Sequence, residues 1–189
     1  LKQLGPTELK RLHREWHRRT EGRVALLLDG LQSPFNVGAI TRTAAAFRID
    51  HIYLAANALS PANAKAGKTA MGTERYLIWS SYERGPQAAD AARADGYVVV
   101  GLELADRAVP LHQFDGGTDV CLAVGHEDHG LPVATLAACD QLAFIPQLGR
   151  VGSLNVATAA AIAMYELRRQ EWTKGERLAP VEGPTASER

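Results

Sequence analysis

The feature that most constrains this chain is the alternation of short β-rich runs with stretches suited to helices. VALLLD (24–29), HIYLA (51–55), YLIW (76–79), YVVVGL (97–102), DVCLAV (119–124) and QLAFI (141–145) read as six strands. Between them lie helix-compatible segments at 37–48, 61–69 and 87–95, with a shorter one at 132–138. Strands joined by helix-length crossovers pair in parallel, because a tight hairpin is not available to them. The spacing therefore predicts an α/β chain built on a mostly parallel six-stranded sheet flanked by helices. A last periodic stretch, SLNVATAAAIAMYELRRQEW, opens at Ser153 as a natural N-cap and places Leu154, Ala157, Ala161, Met164 and Tyr165 near one face. It is expected to pack on the sheet.

Length and composition fit one such unit. The chain has 189 residues, 46% apolar and 22% charged, which suits a globular domain with a real core. The expected division is a basic helical extension over 1–23, one domain over 24–172, and a frayed tail over 173–189, where the sequence turns polar and rich in Pro and Gly. The extension is predicted to form a helix capped by Thr7, carrying Leu9, Leu12 and Trp16 at helical spacing and ending at Thr20-Glu21-Gly22. No stretch approaches the ~18–20 apolar residues of a membrane span, and the first residues contain no apolar signal region, so a cytoplasmic protein is expected. Cys121 and Cys139 lack Cys-x-x-Cys spacing and read as buried thiols.

The formal net charge is zero, but it is unevenly spread. Residues 1–23 hold seven basic against three acidic residues; residues 24–167 hold nine against fourteen. Arg11, Arg14 and Arg18 stand at helical spacing with Arg19 beside them. Such a stripe suits phosphate, and it equally suits a solvated helix face packing Leu9, Leu12 and Trp16 on the core.

Ligands of parallel α/β sheets gather at the carboxyl ends of strands, yet the usual nucleotide signatures are missing. No Gly-x-Gly-x-x-Gly follows a predicted strand. Gly67-Lys68-Thr69 lacks the phosphate loop's earlier glycine, since Ala62 stands there. His126-Glu127-Asp128-His129 is one residue short of His-Glu-x-x-His, so no metal is expected. Three polar clusters remain. The first is Asn36-Val37-Gly38-Ala39-Ile40-Thr41-Arg42-Thr43, in which Asn36 could be a helix cap; the second is Gly125-His126-Glu127-Asp128-His129-Gly130-Leu131-Pro132. The third runs from Ile145 through Gly149 and Gly152 to Ser153-Leu154-Asn155-Val156, with Ser153 and Asn155 as capping candidates.

In this order the clusters resemble the signature motifs of the SpoU (TrmH-like) RNA ribose methyltransferases of the SPOUT superfamily. Asn-x-x-Ala-x-x-Arg-Thr, Gly-x-Glu-x-x-Gly-Leu and Ile-Pro-x-x-Gly-x-x-x-Ser-Leu-Asn-Val are all intact. Gly152, where many relatives carry a polar residue, and Ala157, which replaces a common serine, depart from the pattern without touching a principal motif residue. The resemblance implies a C-terminal deep trefoil knot, which periodicity cannot reveal and which general rules of chain topology would exclude. It implies an S-adenosyl-L-methionine pocket formed mostly by backbone at Leu102, Ala123, Val124, Gly125, His126, Ile145, Gly149, Ser153 and Leu154. It implies Arg42 as the group acting on a ribose 2′-hydroxyl, with Asn36, Glu127, Ser153 and Asn155 positioning it. Glu127 is left with two readings, as partner of a cation or as acceptor from a hydroxyl.

RNA is the implied partner, contacted by Arg42 and, in the extension, by Arg11, Arg14, Arg18 and Arg19. A homodimer is implied as well, because the family assembles each site across facing knotted regions. The likeness to the tRNA branch, together with the shortness of the extension, predicts tRNA as substrate, with a D-loop guanosine as that branch's usual target. Ribosomal RNA and a catalytically silent RNA-binding module are the alternatives.

Overall fold

Six consecutive buried residues, Val24–Asp29, form β1, and a strand buried on both faces belongs in the middle of a covered parallel sheet. The computed structural model describes residues 3–173, and within them β1 is central. After helix α1 (Pro6–Arg18) and β1 come α2 (Pro34–Ala46), β2 (His51–Ala55), α3 (Ala64–Ala70), a 3-10 turn (Thr73–Tyr76) and β3 (Trp79–Tyr82). Then follow α4 (Gly85–Ala94), β4 (Val98–Leu102), β5 (Val109–Pro110), β6 (Val120–Val124), α5 (Val133–Ala138), β7 (Gln141–Phe144) and α6 (Val156–Thr173). The strands form one sheet in the order β3-β2-β1-β6-β4-β7-β5, and every pair is parallel.

Alternate strand residues feed two cores, as the pleat requires. Leu26, Leu28, Ile52, Leu54, Val100, Leu122 and Val124 pack against α2 and α6 through Val37, Ile40, Ala160, Ala163 and Met164. Ala25, Leu27, Tyr53, Val99, Cys121 and Ala123 meet Ala88, Ala89 and Ala92 of α4 on the other face. Cys121 is buried there, and Cys139 is half-buried at the end of α5 with its thiol donating to the Thr135 carbonyl at 3.2 Å.

Several expectations are corrected. The sheet has seven strands, not six. The extra strand, β5, pairs only Val109 with Ala143 and Pro110 with Phe144, too short to show a period; its proline is tolerated because the strand is an edge. The strand expected at 76–79 pairs instead over Trp79–Tyr82, while Tyr76 ends the 3-10 turn and Tyr76 and Ile78 are each 66% exposed. Leu77 of that run is buried in the core, and the ladder to β2 runs through Trp79, Ser80, Ser81 and Tyr82.

Capping residues shift too. Gly5, with Pro6 following, precedes α1, so Thr7 lies inside the helix. Ser33 rather than Asn36 caps α2, accepting from the Asn36 N–H at 3.4 Å. Asn155 rather than Ser153 caps α6, its Oδ1 accepting from the N–H groups of Ala157 and Thr158 at 3.0 and 3.2 Å. The buried face of α6 comprises Ala157, Ala160, Ala163, Met164, Leu167 and Arg168, and Tyr165 is half exposed.

No residue of α1 is buried. It is held to the body through Trp16, whose ring lies 4.9 Å from that of Trp172, and through Thr20, which accepts from the Trp172 indole N–H at 2.9 Å. The expected packing of Leu9 on the core does not occur, since Leu9 is 46% exposed. Apart from Thr173, the tail at 173–189 lies outside the described residues.

Candidate functional site

The carboxyl ends of β6, β4 and β7 stand side by side, so the segments leaving them meet at one edge of the sheet. They enclose a pocket of about 350 Å³. Leu102 and Glu103 line it after β4; Val124, Gly125, His126 and Glu127 after β6; Ile145, Gln147, Gly152, Ser153 and Leu154 after β7; Val156 and Ala159 close it from the start of α6. Of the residues expected to bind a cofactor, Ala123 and Gly149 are not in the lining. Ala123 is fully buried against α4, and Gly149 sits on the exposed 146–152 loop with no atom within 4 Å of the place a Cβ would take.

The loop after β6 is a tight hairpin. His126 and Gly130 exchange backbone hydrogen bonds at 3.0 and 2.9 Å, and a Cβ on Gly125 would run into the Gly130 backbone. Gly130 has φ of 65°, the left-handed conformation that glycine adopts without steric cost. The His126 and His129 rings stack with centroids 5.0 Å apart. His126 Nδ1 accepts from the Asp128 N–H at 3.1 Å, which leaves the proton of a neutral ring on Nε2.

Beside this pocket the three motifs meet in a single hydrogen-bonded line. The Glu127 carboxylate accepts from the Ser33 N–H at 2.9 Å, the Asn36 side-chain amide at 3.2 Å and the Gln32 N–H at 3.4 Å. Asn36 Oδ1 accepts from Asn155 Nδ2 at 2.9 Å, and Asn155 Oδ1 caps α6. Burial pushes the Glu127 carboxyl upward. The backbone N–H groups of Glu127 and Ser33, the Asn36 amide and the Gln32 N–H outweigh it and hold the carboxyl below its usual range. Besides these donors, Glu127 Oε2 lies 4.0 Å from His126 Nδ1, a contact that is an ion pair only with a protonated imidazole. The carboxylate fastens the start of α2 to the β6 loop.

Arg42 is not brought to this pocket. It lies six residues beyond Asn36 on α2, about 9 Å of helix rise, exposed and without a hydrogen-bond or ion-pair partner among the described residues. Lys65, Lys68 and Arg75 are exposed on α3 and the 3-10 turn, the elements packed against α2. Arg11, Arg14 and Arg18 are also exposed, and Arg19 pairs with Glu15 at 2.9 Å. They sit at the far end of α6 from the pocket: Val156 and Ala159 line the site, Trp172 holds α1, and the helix between is about 27 Å long.

Sequence reasoning missed Glu103, Asp29 and Arg168. Glu103 had a usable signal, an acidic residue directly after a predicted strand. Asp29 is 1% exposed and accepts from the Thr135 hydroxyl at 2.5 Å. Arg168, also 1% exposed, donates to the carbonyls of Gly22, Phe47 and Arg48 at 2.6, 3.0 and 2.7 Å. No local pattern marks either as buried.

Known proteins resemble this chain in sequence and fold. The chain is 34% identical over 146 residues to the 23S rRNA (guanosine-2′-O-)-methyltransferase RlmB of Acinetobacter baylyi, an alignment covering 77% of this chain and 59% of that protein. Among solved structures, the AdoMet-bound rRNA methyltransferase from Sinorhizobium meliloti superposes with a TM-score of 0.73 at 33% identity, covering 80% of this chain and 58% of that one. The SpoU methyltransferase AviRb from Streptomyces viridochromogenes, in complex with AdoMet, gives 0.71 at 30% identity, covering 79% and 58%. The chain thus spans under two-thirds of each of these relatives. A sequence profile of one family matches residues 23–165, the stretch that holds the three pocket segments and the Glu127–Asn36–Asn155 line, and on that match the chain belongs to the SpoU rRNA Methylase family.

Proposed function

We propose that this protein transfers a methyl group from S-adenosylmethionine to a ribose 2′-hydroxyl of RNA. The observation that carries the reading is the hydrogen-bonded line through Glu127, Asn36 and Asn155, which joins three separate motifs at the mouth of a pocket formed by three strand ends. The pocket suits the cofactor. Its volume falls in the range of small-molecule sites, its wall at Gly125 and Gly152 is bare backbone, and Leu102, Ile145 and Leu154 offer apolar contact for a nucleoside. When bound, S-adenosylmethionine supplies an electrophilic methyl group on its sulfonium.

The protein's own share of the reaction is positioning and charge. Arg42 serves as phosphate binder and stabiliser of the forming 2′-alkoxide, with the bound phosphate relaying the hydroxyl proton. Its place outside its own chain's pocket supports a homodimer in which one copy lends Arg42 to the pocket of the other. The deep trefoil knot implied by the sequence motifs would hold the three pocket segments in register. Light scattering at micromolar concentration tests the dimer. Mixing Arg42→Ala protein with a Glu127→Ala variant tests the shared site, since each mixed dimer retains one intact pair.

Relatives named for 23S and other rRNA make ribosomal RNA the first substrate to assay. The exposed basic helix α1 favours tRNA as the second. Radiolabelled methyl transfer to rRNA and tRNA, followed by nucleoside analysis, is expected to give a 2′-O-methylnucleoside with unchanged yield in chelator. Failure of the protein to bind S-adenosylmethionine by calorimetry would leave the silent RNA-binding module.

A further inference from the structure

Glu103 is the first residue after β4 and lines the pocket. Its backbone N–H donates to the Ala143 carbonyl at 2.9 Å, fixing the main chain against β7. One side-chain oxygen, Oε2, accepts from the Leu131 N–H at 3.0 Å, which ties the β4 end to the loop after β6. The carboxylate lies against Gly130, where a Cβ would collide with it. The other oxygen, Oε1, has no partner among the described residues and is not a buried orphan. A carboxylate held by one oxygen, with the second free at the wall of a pocket, is a preorganised acceptor.

Of the three acidic residues of the lining, Asp128 is exposed on the hairpin after β6, and Glu127 is committed to the N–H groups of the α2 start, so its oxygens are already used. Glu103 is not. In dinucleotide-binding α/β sheets an acidic side chain accepts a hydrogen bond from the ribose 2′-hydroxyl, and Glu103 offers the same chemical group at the carboxyl end of β4. Leu102, Val124, Ile145 and Leu154 give the pocket apolar wall for an adenine and a thioether chain, and His126, His129, Gln147 and Ser153 are its neutral polar side chains. We infer that Glu103 accepts hydrogen bonds from the ribose 2′,3′-diol of the adenosyl cofactor. The inference rests on the proposed S-adenosylmethionine site.

Calorimetry with S-adenosylhomocysteine and its 2′-deoxy and 3′-deoxy analogues tests it. The wild-type protein should bind the parent compound about tenfold or more tighter than a deoxy analogue, the size expected for a hydrogen bond to a charged group. Glu103→Gln should lose about that factor for the parent compound and bind parent and deoxy analogues alike. The glutamine carbonyl can still accept from the Leu131 N–H, so thermal melting of the variant should stay close to wild type. A Glu103→Gln protein that keeps full affinity, or keeps the preference for the diol, overturns the inference. So does a loss of affinity that disappears with an analogue lacking the α-amino group, which would assign the carboxylate to the ammonium. Should the variant fold poorly, the wild-type protein decides alone: equal binding of parent and deoxy compounds is fatal to the diol contact. Failure of the site reading looks different, because the wild-type protein then binds neither S-adenosylmethionine nor S-adenosylhomocysteine.

Discussion

Glu127 shows how a residue's role depends on what surrounds it. Its carboxyl is held below the ordinary 4.5 by the donors around it, so the ionised form stabilises the fold at pH above that value. The contribution is lost as pH falls through the lowered value. Glu127→Gln is therefore expected to cost about 1–3 kcal/mol near neutrality, and the gap to wild type should close in thermal melts taken progressively below pH 4.5. A gap that persists unchanged into acid would mean that packing, not charge, is what Glu127 supplies. Arg42 is the opposite case, an exposed side chain with no internal partner. Arg42→Ala should leave melting and cofactor affinity unchanged while lowering turnover by about 10²-fold or more. The sequence singled out Asn36, Glu127 and Asn155, and the structure joins them by hydrogen bonds, but that junction was illegible. The Asn155 to Asn36 bond spans 119 positions, and no local spacing encodes it.

Elements were legible where burial and period coincide. β1, β2, β4 and β6 are apolar because both faces are covered, and they stand within one residue of expectation. At the edges the signal fails, since β3 and β5 are defined by backbone partners rather than by apolar content. The approach of α3 to α2 was equally invisible, although its trace is Gly38, where a Cβ would strike the Ala66 carbonyl. Gly38→Ala gains up to ~1 kcal/mol of helix propensity, yet the backbone ahead of it cannot yield, and a net loss of about 1–2 kcal/mol is expected. Urea melts should show a lower midpoint at unchanged slope. Arg168 links two loops to α6 through three carbonyls, and burial lowers its pKa. Arg168→Met would strand those carbonyls and Glu171, whose carboxylate also accepts from the N–H groups of Glu21 and Gly22. Denaturant unfolding should register about 3–5 kcal/mol of lost stability.

At the scale of the whole molecule, α6 separates two regions that the sequence treated as one RNA-binding system. The pocket lies at its start, and the basic helix α1 is fastened to its end. If α1 docks RNA, changing Arg11, Arg14, Arg18 and Arg19 to Gln should weaken RNA binding and flatten its salt dependence by about 0.7 in log–log slope per lost single-strand phosphate contact, with cofactor affinity intact. An unchanged slope at full affinity would give α1 a purely structural role. Among the described residues no helix is long and apolar enough to cross a membrane. The sequence by itself determined the α/β class, the covered central strands, the identity of the motif residues and the uneven charge, because each is written in local period, composition or spacing. The tertiary structure decided the strand order, the seventh strand, the caps of α2 and α6, the buried Arg168 and Asp29, and the gap between Arg42 and its own pocket. Each of those depends on which distant segments lie side by side, and that is settled by packing the whole chain.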